Sequence, residues 1–316
     1  MSYWFLDGGG GWRHLINYMQ ENDTIVASTK NITTFFKEIT SYHTINLRAR
    51  PSLYENSLFS VPKNIYYAKK DYDKYFSSIK NETIYVQCKY TAITFFSYIK
   101  KLRKNNTIIF VKKNDNNFNE KEYYGLHWIP MKLIGYILGV DVGIKKLLNR
   151  PLWYLKEKTL GDYTSLTFKQ KEPNITLPPK FMAMLENKDT LVLLNDLETL
   201  AYSPRYHSDK IAQLLNKKTT IVKNHTRNPK IYGVFNDFRQ FPSYVPAEIL
   251  ITNHKFKNIV TLYISKTSLH KSDARKICAY NMIDWKIPVT EQWIQDVTKH
   301  NTHLPKDEKE FRRLLQ

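Results

Sequence analysis

Thr219-Thr-Ile-Val-Lys-Asn-His-Thr-Arg227 is a run of strand-forming residues that stops abruptly at a polar, basic turn. Threonine, isoleucine and valine side chains suit a buried, pleated surface, whereas Asn224 to Arg227 do not. Upstream, Thr190-Leu-Val-Leu-Leu194 is a second such run. Between them residues 208–215 read as a helix, with Ser208 as its N-cap. Downstream, residues 247–252 read as a short helix with Pro246 at its start, followed by the strand Asn258-Ile-Val-Thr-Leu-Tyr-Ile264. Strand, helix, strand in this rhythm predicts a parallel sheet with crossover helices.

The same rhythm fills the first half. Tyr3-Trp-Phe-Leu6 is a short apolar run ending at Asp7 and at Gly8, Gly9, Gly10 and Gly11. Trp12, Leu15, Ile16 and Met19 then recur at helical spacing. Thr24-Ile-Val-Ala27, Thr83-Ile-Tyr-Val86 and Thr107-Ile-Ile-Phe-Val111 read as strands. Phe35, Phe36 and Ile39 mark one intervening helix, and residues 92–102 another, whose basic end Lys100-Lys-Leu-Arg-Lys104 complements a helix C-terminus. Residues 145–180 break the pattern, with Pro151, Pro173, Pro178 and Pro179. A chain of 316 residues is also long for one core. The expectation is an α/β protein of two Rossmann-like domains facing a cleft: residues 1–160, a linker at 161–187, residues 188–285, and a helical tail at 286–316. In such sheets ligands sit at the carboxyl ends of the strands.

Composition narrows the classes. Apolar residues make up 42% and charged residues 24%, which suits a globular chain and not a disordered one. Two cysteines, Cys88 and Cys278, exclude a disulfide framework and a cysteine-based structural zinc site. No apolar run reaches the ~18–20 residues of a membrane span, and the first residues lack the pattern of a secretory signal. A cytoplasmic location is expected. Lys and Arg number 48 against 29 Asp and Glu, a formal charge of +19. That excess predicts a polyanionic neighbour: nucleic acid, an acidic membrane surface or a phosphorylated ligand.

Three clusters at predicted strand ends carry candidate chemistry. At Asp7 and Gly8 to Gly11 sit four of the ten glycines, which permit close backbone approach to a ligand, and the helix that follows offers free N–H groups. The loop is no Walker motif, because no Gly-Lys-Ser/Thr follows, and it lacks the full dinucleotide fingerprint. At Lys223, His225 and Arg227 an imidazole and a guanidinium can bond a phosphate. At Ser265, Thr267 and Ser268 hydroxyls precede a helix-like sequence and form a second phosphate cradle. Each cluster alone also fits an ordinary turn or cap.

Taken in order, Lys-x-His-x-Arg at 223–227, Pro246-Ala-Glu248-Ile-Leu250 and Ser265-Lys-Thr-Ser268 resemble the C-terminal half of GT-B bacterial sialyltransferases, namely the lipooligosaccharide sialyltransferases and capsular polysialyltransferases. The likeness covers about residues 190–270. It implies a CMP-activated sugar donor, held by Lys223, His225, Arg227, Glu248, Ser265, Thr267 and Ser268, with Glu248 beside the ribose. It makes the first domain the acceptor domain and the second the nucleotide-sugar domain. Two departures stand out: Thr226 replaces the family's proline, and its acidic D/E-D/E-G motif has no full counterpart. The corresponding place reads Lys112-Lys-Asn-Asp-Asn-Asn117, so Asp115, or else Asp7, is the candidate general base, with Glu120 and Glu122 as further candidates.

The resemblance implies inverting, metal-independent transfer of sialic acid or a related acidic sugar to a cell-surface glycan, without a cofactor beyond the CMP-sugar. His225, Arg227 and the hydroxyl cluster would stabilise the leaving phosphate. A carboxylate would take the acceptor proton. The basic, aromatic stretch at 145–158, with Trp153 and Tyr154, and the tail Phe311-Arg-Arg-Leu-Leu315 fit peripheral attachment to an anionic inner-membrane surface. Two other classes stay open. One is phosphoryl-polyol transfer from a CDP-polyol, as in teichoic-acid polymerases. The other is non-enzymatic polyanion binding, for which the 22 tyrosines would have to line one basic face; they are scattered, and nucleic acid is not the expected partner.

Overall fold

The computed structural model describes residues 1–6, 10–27, 29–48, 60–87, 101–112, 142–147, 150–155, 164–168, 173–195, 200–225, 233–264 and 272–316. The chain divides into two compact units, Met1–Pro173 and Asn174–Gln316.

The first unit is built on a six-stranded sheet. Its strands are β1 (Ser2–Leu6), β2 (Thr24–Ala27), β3 (His43–Asn46), β4 (Thr83–Gln87), β5 (Thr107–Lys112) and β8 (Thr164–Thr167). Their spatial order is β3-β2-β1-β4-β5-β8, and every pairing is parallel. Numbered along the unit, that is 3-2-1-4-5-6, the doubly wound order with its switch point between β1 and β4. Residues in β1 and β2 are buried on both faces, as parallel strands covered by helices must be. A 3-10 helix, Gly10–Tyr18, and the helix α1 (Lys30–Ile39) supply cover, and the helix α2 (Ser60–Tyr75) leads into the buried Phe76, whose ring stands 5.4 Å from that of Phe5. In α1 the buried Ile32, Phe35, Phe36 and Ile39 lie on one stripe. Phe35 and Phe36 stand 5.1 and 5.4 Å from the Trp12 ring. The helical spacing seen from Trp12 to Met19 is realised as a 3-10 helix.

Asp23, just before β2, ties the start of this sheet together. Its Oδ1 accepts from the Ser2 N–H at 3.1 Å and the Ser2 hydroxyl at 2.5 Å. Its Oδ2 accepts from the Trp4 indole at 2.8 Å and the Gln20 N–H at 2.9 Å. Burial acts to raise the carboxyl's pKa, but these four donors outweigh it and hold the group below its ordinary value.

Two further strands, β6 (Val142–Leu147) and β7 (Arg150–Leu155), form a separate antiparallel pair, with Ile144 opposite Trp153. The described part of the basic, aromatic stretch is therefore strand. The expected linker at 161–187 contains β8, which pairs with β5, and the helix α3 (Pro179–Leu185) of the second unit.

The second unit repeats the plan. Its strands are β9 (Thr190–Leu193), β10 (Thr220–Lys223), β11 (Arg239–Phe241), β12 (Asn258–Thr261), β13 (Arg275–Cys278) and β14 (Thr302–His303). They lie in the order β11-β10-β9-β12-β13-β14, all parallel, again 3-2-1-4-5-6. Helices α4 (Pro204–Ala212), α5 (Ala247–Asn253), α6 (Glu291–Lys299) and α7 (Glu308–Leu315) complete it. Val192, Val222, Val260 and Ile277 of four central strands share one core with Phe235, Phe238 and Phe311.

Two expectations are corrected here. The helix read as 208–215 begins at Pro204, with Ser203 left-handed at φ 45° before it, so Ser208 is a fully buried interior residue and not the cap. Proline's fixed φ and missing N–H suit the first helical position, and that outweighs the capping chemistry of serine. The apolar residues of the tail also turn inward and not to the surface. Phe311 is fully buried, Leu314 and Leu315 pack on the same core, and Asp307 caps α7 through the Glu310 N–H at 2.8 Å. The apolar residues at i, i+3 and i+4 face the sheet, and β14 within residues 286–316 extends that sheet.

Cys278, at the end of β13, has its thiol pushed up to about 11 by burial. Such a thiol is a poor nucleophile. In a Cys88→Ser background, Cys278 is expected to resist an aromatic disulfide reagent at pH 8 in the native state and to react fully in denaturant. Rapid labelling of the native protein would show that the β13 end opens readily.

Candidate functional site

The carboxyl edge of the second sheet gathers most of the sequence-derived candidates that fall among the described residues. Register fixes this. Lys223 of β10 and Thr261 of β12 both stand beside Leu193 of β9. The ends of β10 and β12 are thus level and two strand spacings apart, about 10 Å. The crevice between β9 and β12 is the switch point, because the chain winds away from β9 in opposite directions on its two sides.

Lys223 is buried at 5% exposure, and its ammonium donates to the Asn224 carbonyl at 3.1 Å and the Ser243 carbonyl at 3.3 Å. Ser243 lies in the turn between β11 and α5. The lysine therefore fastens the end of β10 to the segment that delivers Glu248, which is half-buried in the first turn of α5. The two carbonyls hold its ammonium under the edge. His225 is exposed two residues further on, and its backbone N–H donates to the Asn224 side chain at 2.8 Å. The structure thus groups Lys223, His225 and Glu248 at one edge of one sheet. Arg227, Ser265, Thr267 and Ser268 lie outside the described residues.

Two asparagines that the sequence reading passed over shape this edge. Asn224 is buried and forms the turn under His225. Asn195, just past β9, accepts from the Tyr263 N–H at 3.4 Å and so spans the crevice from β9 to the residues after β12. Beside it stands an aromatic wall. Tyr280 stacks on Trp285 at 5.3 Å and 12°, and Tyr263 meets Trp285 edge-on at 4.7 Å. The Tyr263 hydroxyl donates to the Ile287 carbonyl at 2.9 Å, and burial, then the neighbouring Tyr280, raises its pKa. These rings fix the backbone at the ends of β12 and β13. Nothing in the local sequence marks Asn195 or Tyr263 apart from their place after a strand.

In the first unit, Asp7, Gly8, Gly9, Asp115, Glu120 and Glu122 lie outside the described residues. Gly10 and Gly11 open the 3-10 helix that follows β1. Opposite, Leu6 at the end of β1 pairs with Gln87 at the end of β4, at this sheet's own switch point. The Gln87 Oε1 is buried there without a hydrogen-bond partner. A buried acceptor costs free energy until something donates to it, so Gln87 is a further polar candidate.

Among the described residues no group of three or more His, Cys, Asp or Glu is arranged to hold a metal ion, and no helix is long and apolar enough to cross a membrane.

No protein-family model and no curated protein sequence matches the chain. Among solved structures, it is similar to the crystal structure of CalG4, the calicheamicin glycosyltransferase, with a TM-score of 0.43 and 8% identity over 99% of this chain and 88% of that one.

Proposed function

We propose that the chain is a GT-B type glycosyltransferase that takes a CMP-activated acidic sugar as donor, with the nucleotide at the carboxyl edge of the second sheet. The observation that carries this reading is the grouping of Lys223, His225 and Glu248 at that edge, on strands whose order puts a switch-point crevice beside them. The motif resemblance in the sequence supports the same donor class.

In this reading the His225 imidazole donates to the phosphate of CMP, joined by Arg227 and the hydroxyls of Ser265, Thr267 and Ser268. Lys223 contributes fixed positive charge from beneath. Glu248 accepts from ribose hydroxyls. The acceptor hydroxyl attacks the anomeric carbon, the bond from that carbon to the phosphate oxygen breaks, and CMP leaves carrying the electron pair. Preorganised donors at the phosphate stabilise the charge that develops there, without the reorganisation that water would need. The acceptor proton passes to a carboxylate, Asp7 or Asp115. Displacement from the opposite face inverts the anomeric centre. The acceptor is a glycan of the cell surface or its lipid-linked precursor, and the +19 charge favours an anionic one, at a membrane surface or free.

A donor screen tests this reading. CMP is expected to appear from a CMP-sugar in the presence of acceptor glycans. CMP appearing only from a CDP-polyol would replace sugar transfer with phosphoryl-polyol transfer, and no release from either would leave the reading without support. Asp7→Asn and Asp115→Asn, made separately, identify the base. The variant that lacks it is expected to lose turnover while retaining its affinity for CMP. Full turnover in both would place the base elsewhere.

A further inference from the structure

The opposite edge of the second sheet holds a cavity of about 750 Å³ that the proposed reaction does not use. Its lining comes from the start of β13 and from the turn that leads out of α6 into β14. Turns from helix to strand lie at the amino edge of a parallel sheet, so this cavity is across the sheet from His225. Arg275, Lys276, Lys299, His300 and His303 face it.

The charges there are poorly matched by protein groups. Lys276 is 8% exposed, and its ammonium has one hydrogen bond, to the His300 carbonyl at a long 3.4 Å. An ammonium carries three donors, so a buried one with a single weak partner is under-satisfied. Burial lowers its pKa, the direction expected when no anion compensates. Arg275 donates to the Leu314 carbonyl and so braces α7, which leaves the rest of its fork without a protein acceptor. No ion pair involves Arg275, Lys276 or Lys299 among the described residues. The buried Ser272 hydroxyl, also on the lining, has no hydrogen-bond partner. One carboxylate, the exposed Asp273, shares the cavity.

From this juxtaposition of a half-satisfied buried lysine, an arginine, an unpartnered serine hydroxyl and two histidines, we infer a second anion site, built for a phosphate group. The phosphate would complete the ammonium's bonds, engage the open side of the Arg275 fork and accept from Ser272. Its volume is that of an ordinary small-ligand pocket. Two sources present the same chemistry: a soluble phosphorylated compound and the headgroup of an anionic lipid.

Titration with inorganic pyrophosphate, followed by calorimetry, tests the site. It is done in a His225→Ala background, which removes one donor from the carboxyl-edge site, and comparison with Lys276→Met in the same background assigns the binding to the amino edge. One equivalent is expected to bind, and Lys276→Met is expected to weaken binding at least tenfold. Methionine replaces the buried stem without its charge, so the variant should unfold at the same temperature or higher. Lys299→Ala, on the exposed rim, provides a second variant that does not touch the core and should weaken binding several-fold. Co-sedimentation with phosphatidylcholine vesicles, with and without phosphatidylglycerol, separates the sources. Retention by the anionic vesicles that is lost in Lys276→Met identifies a lipid headgroup, whereas pyrophosphate binding without vesicle retention identifies a soluble ligand. Absence of pyrophosphate binding, or equal binding by the folded Lys276→Met protein, would overturn the proposal.

Discussion

His225→Ala is expected to lower kcat by about 10²–10³, the usual loss when one preorganised donor to a developing negative charge is removed. The imidazole stands exposed at the end of β10, so the fold does not depend on it. Exposed substitutions of this sort move stability by no more than about 0.5 kcal/mol. Its backbone N–H keeps the bond to the Asn224 side chain, and Lys223 keeps the β10 end fastened to the Ser243 carbonyl. The edge therefore retains its shape while losing one donor. A lysine or glutamine at 225 restores a donor and should recover part of the loss, which a purely structural role would not permit. The check is steady-state kinetics on the wild type and the three variants, with unfolding curves beside them. A loss confined to KM would mean that the imidazole binds ground state and transition state equally. Unchanged kinetics would remove it from the mechanism.

Asp23→Ala is expected to destabilise the first unit by roughly 3 kcal/mol or more, since hydrogen bonds to a charged group are each worth about 1.5–3 kcal/mol and the donors left behind are buried. Asp23 is 4% exposed and takes two donors on each oxygen. Asp23→Asn should do little better, because the amide NH2 must oppose one of those two donor pairs. The pH dependence follows from the direction of the shift. The folded-state carboxyl titrates below the unfolded one, so its contribution is complete above about pH 4, near the unfolded value, and is lost as pH falls through the lower folded value. The gap in stability between wild type and Asp23→Ala should hold steady from pH 7 to pH 5 and close in acid. Denaturant unfolding monitored by tryptophan fluorescence from pH 3 to pH 7 measures it. A gap that widened in acid would contradict the assignment.

Much of the architecture was legible because each central strand is a short β-branched run ended by a polar turn. Thr190 to Leu194 and Thr219 to Lys223 were identifiable for that reason, and both are strands of a parallel sheet. Helix limits were less legible where two signals competed, as at Pro204 against Ser208. The tail's hydrophobic triplet, Phe311, Leu314 and Leu315, carries the periodicity of a helix face but no information on which surface that face meets. Within the site, Lys223 and His225 were visible as charge after a strand. That the lysine turns inward to a carbonyl twenty residues away was not, because Ser243 contributes only backbone. Asn195 and Gln87 are likewise defined by which strands lie side by side, and pairing order is a property of the whole chain. The basic lining of the amino-edge cavity comes from residues 275–276 and 299–303, joined by the β13–β14 register.

The most direct measurement is a crystal structure of the protein soaked with CMP. The nucleotide's phosphate should lie within hydrogen-bond distance of the His225 imidazole, with the ribose toward Glu248. Density for CMP against the first sheet, or at the second sheet with its phosphate turned away from His225, would contradict the account.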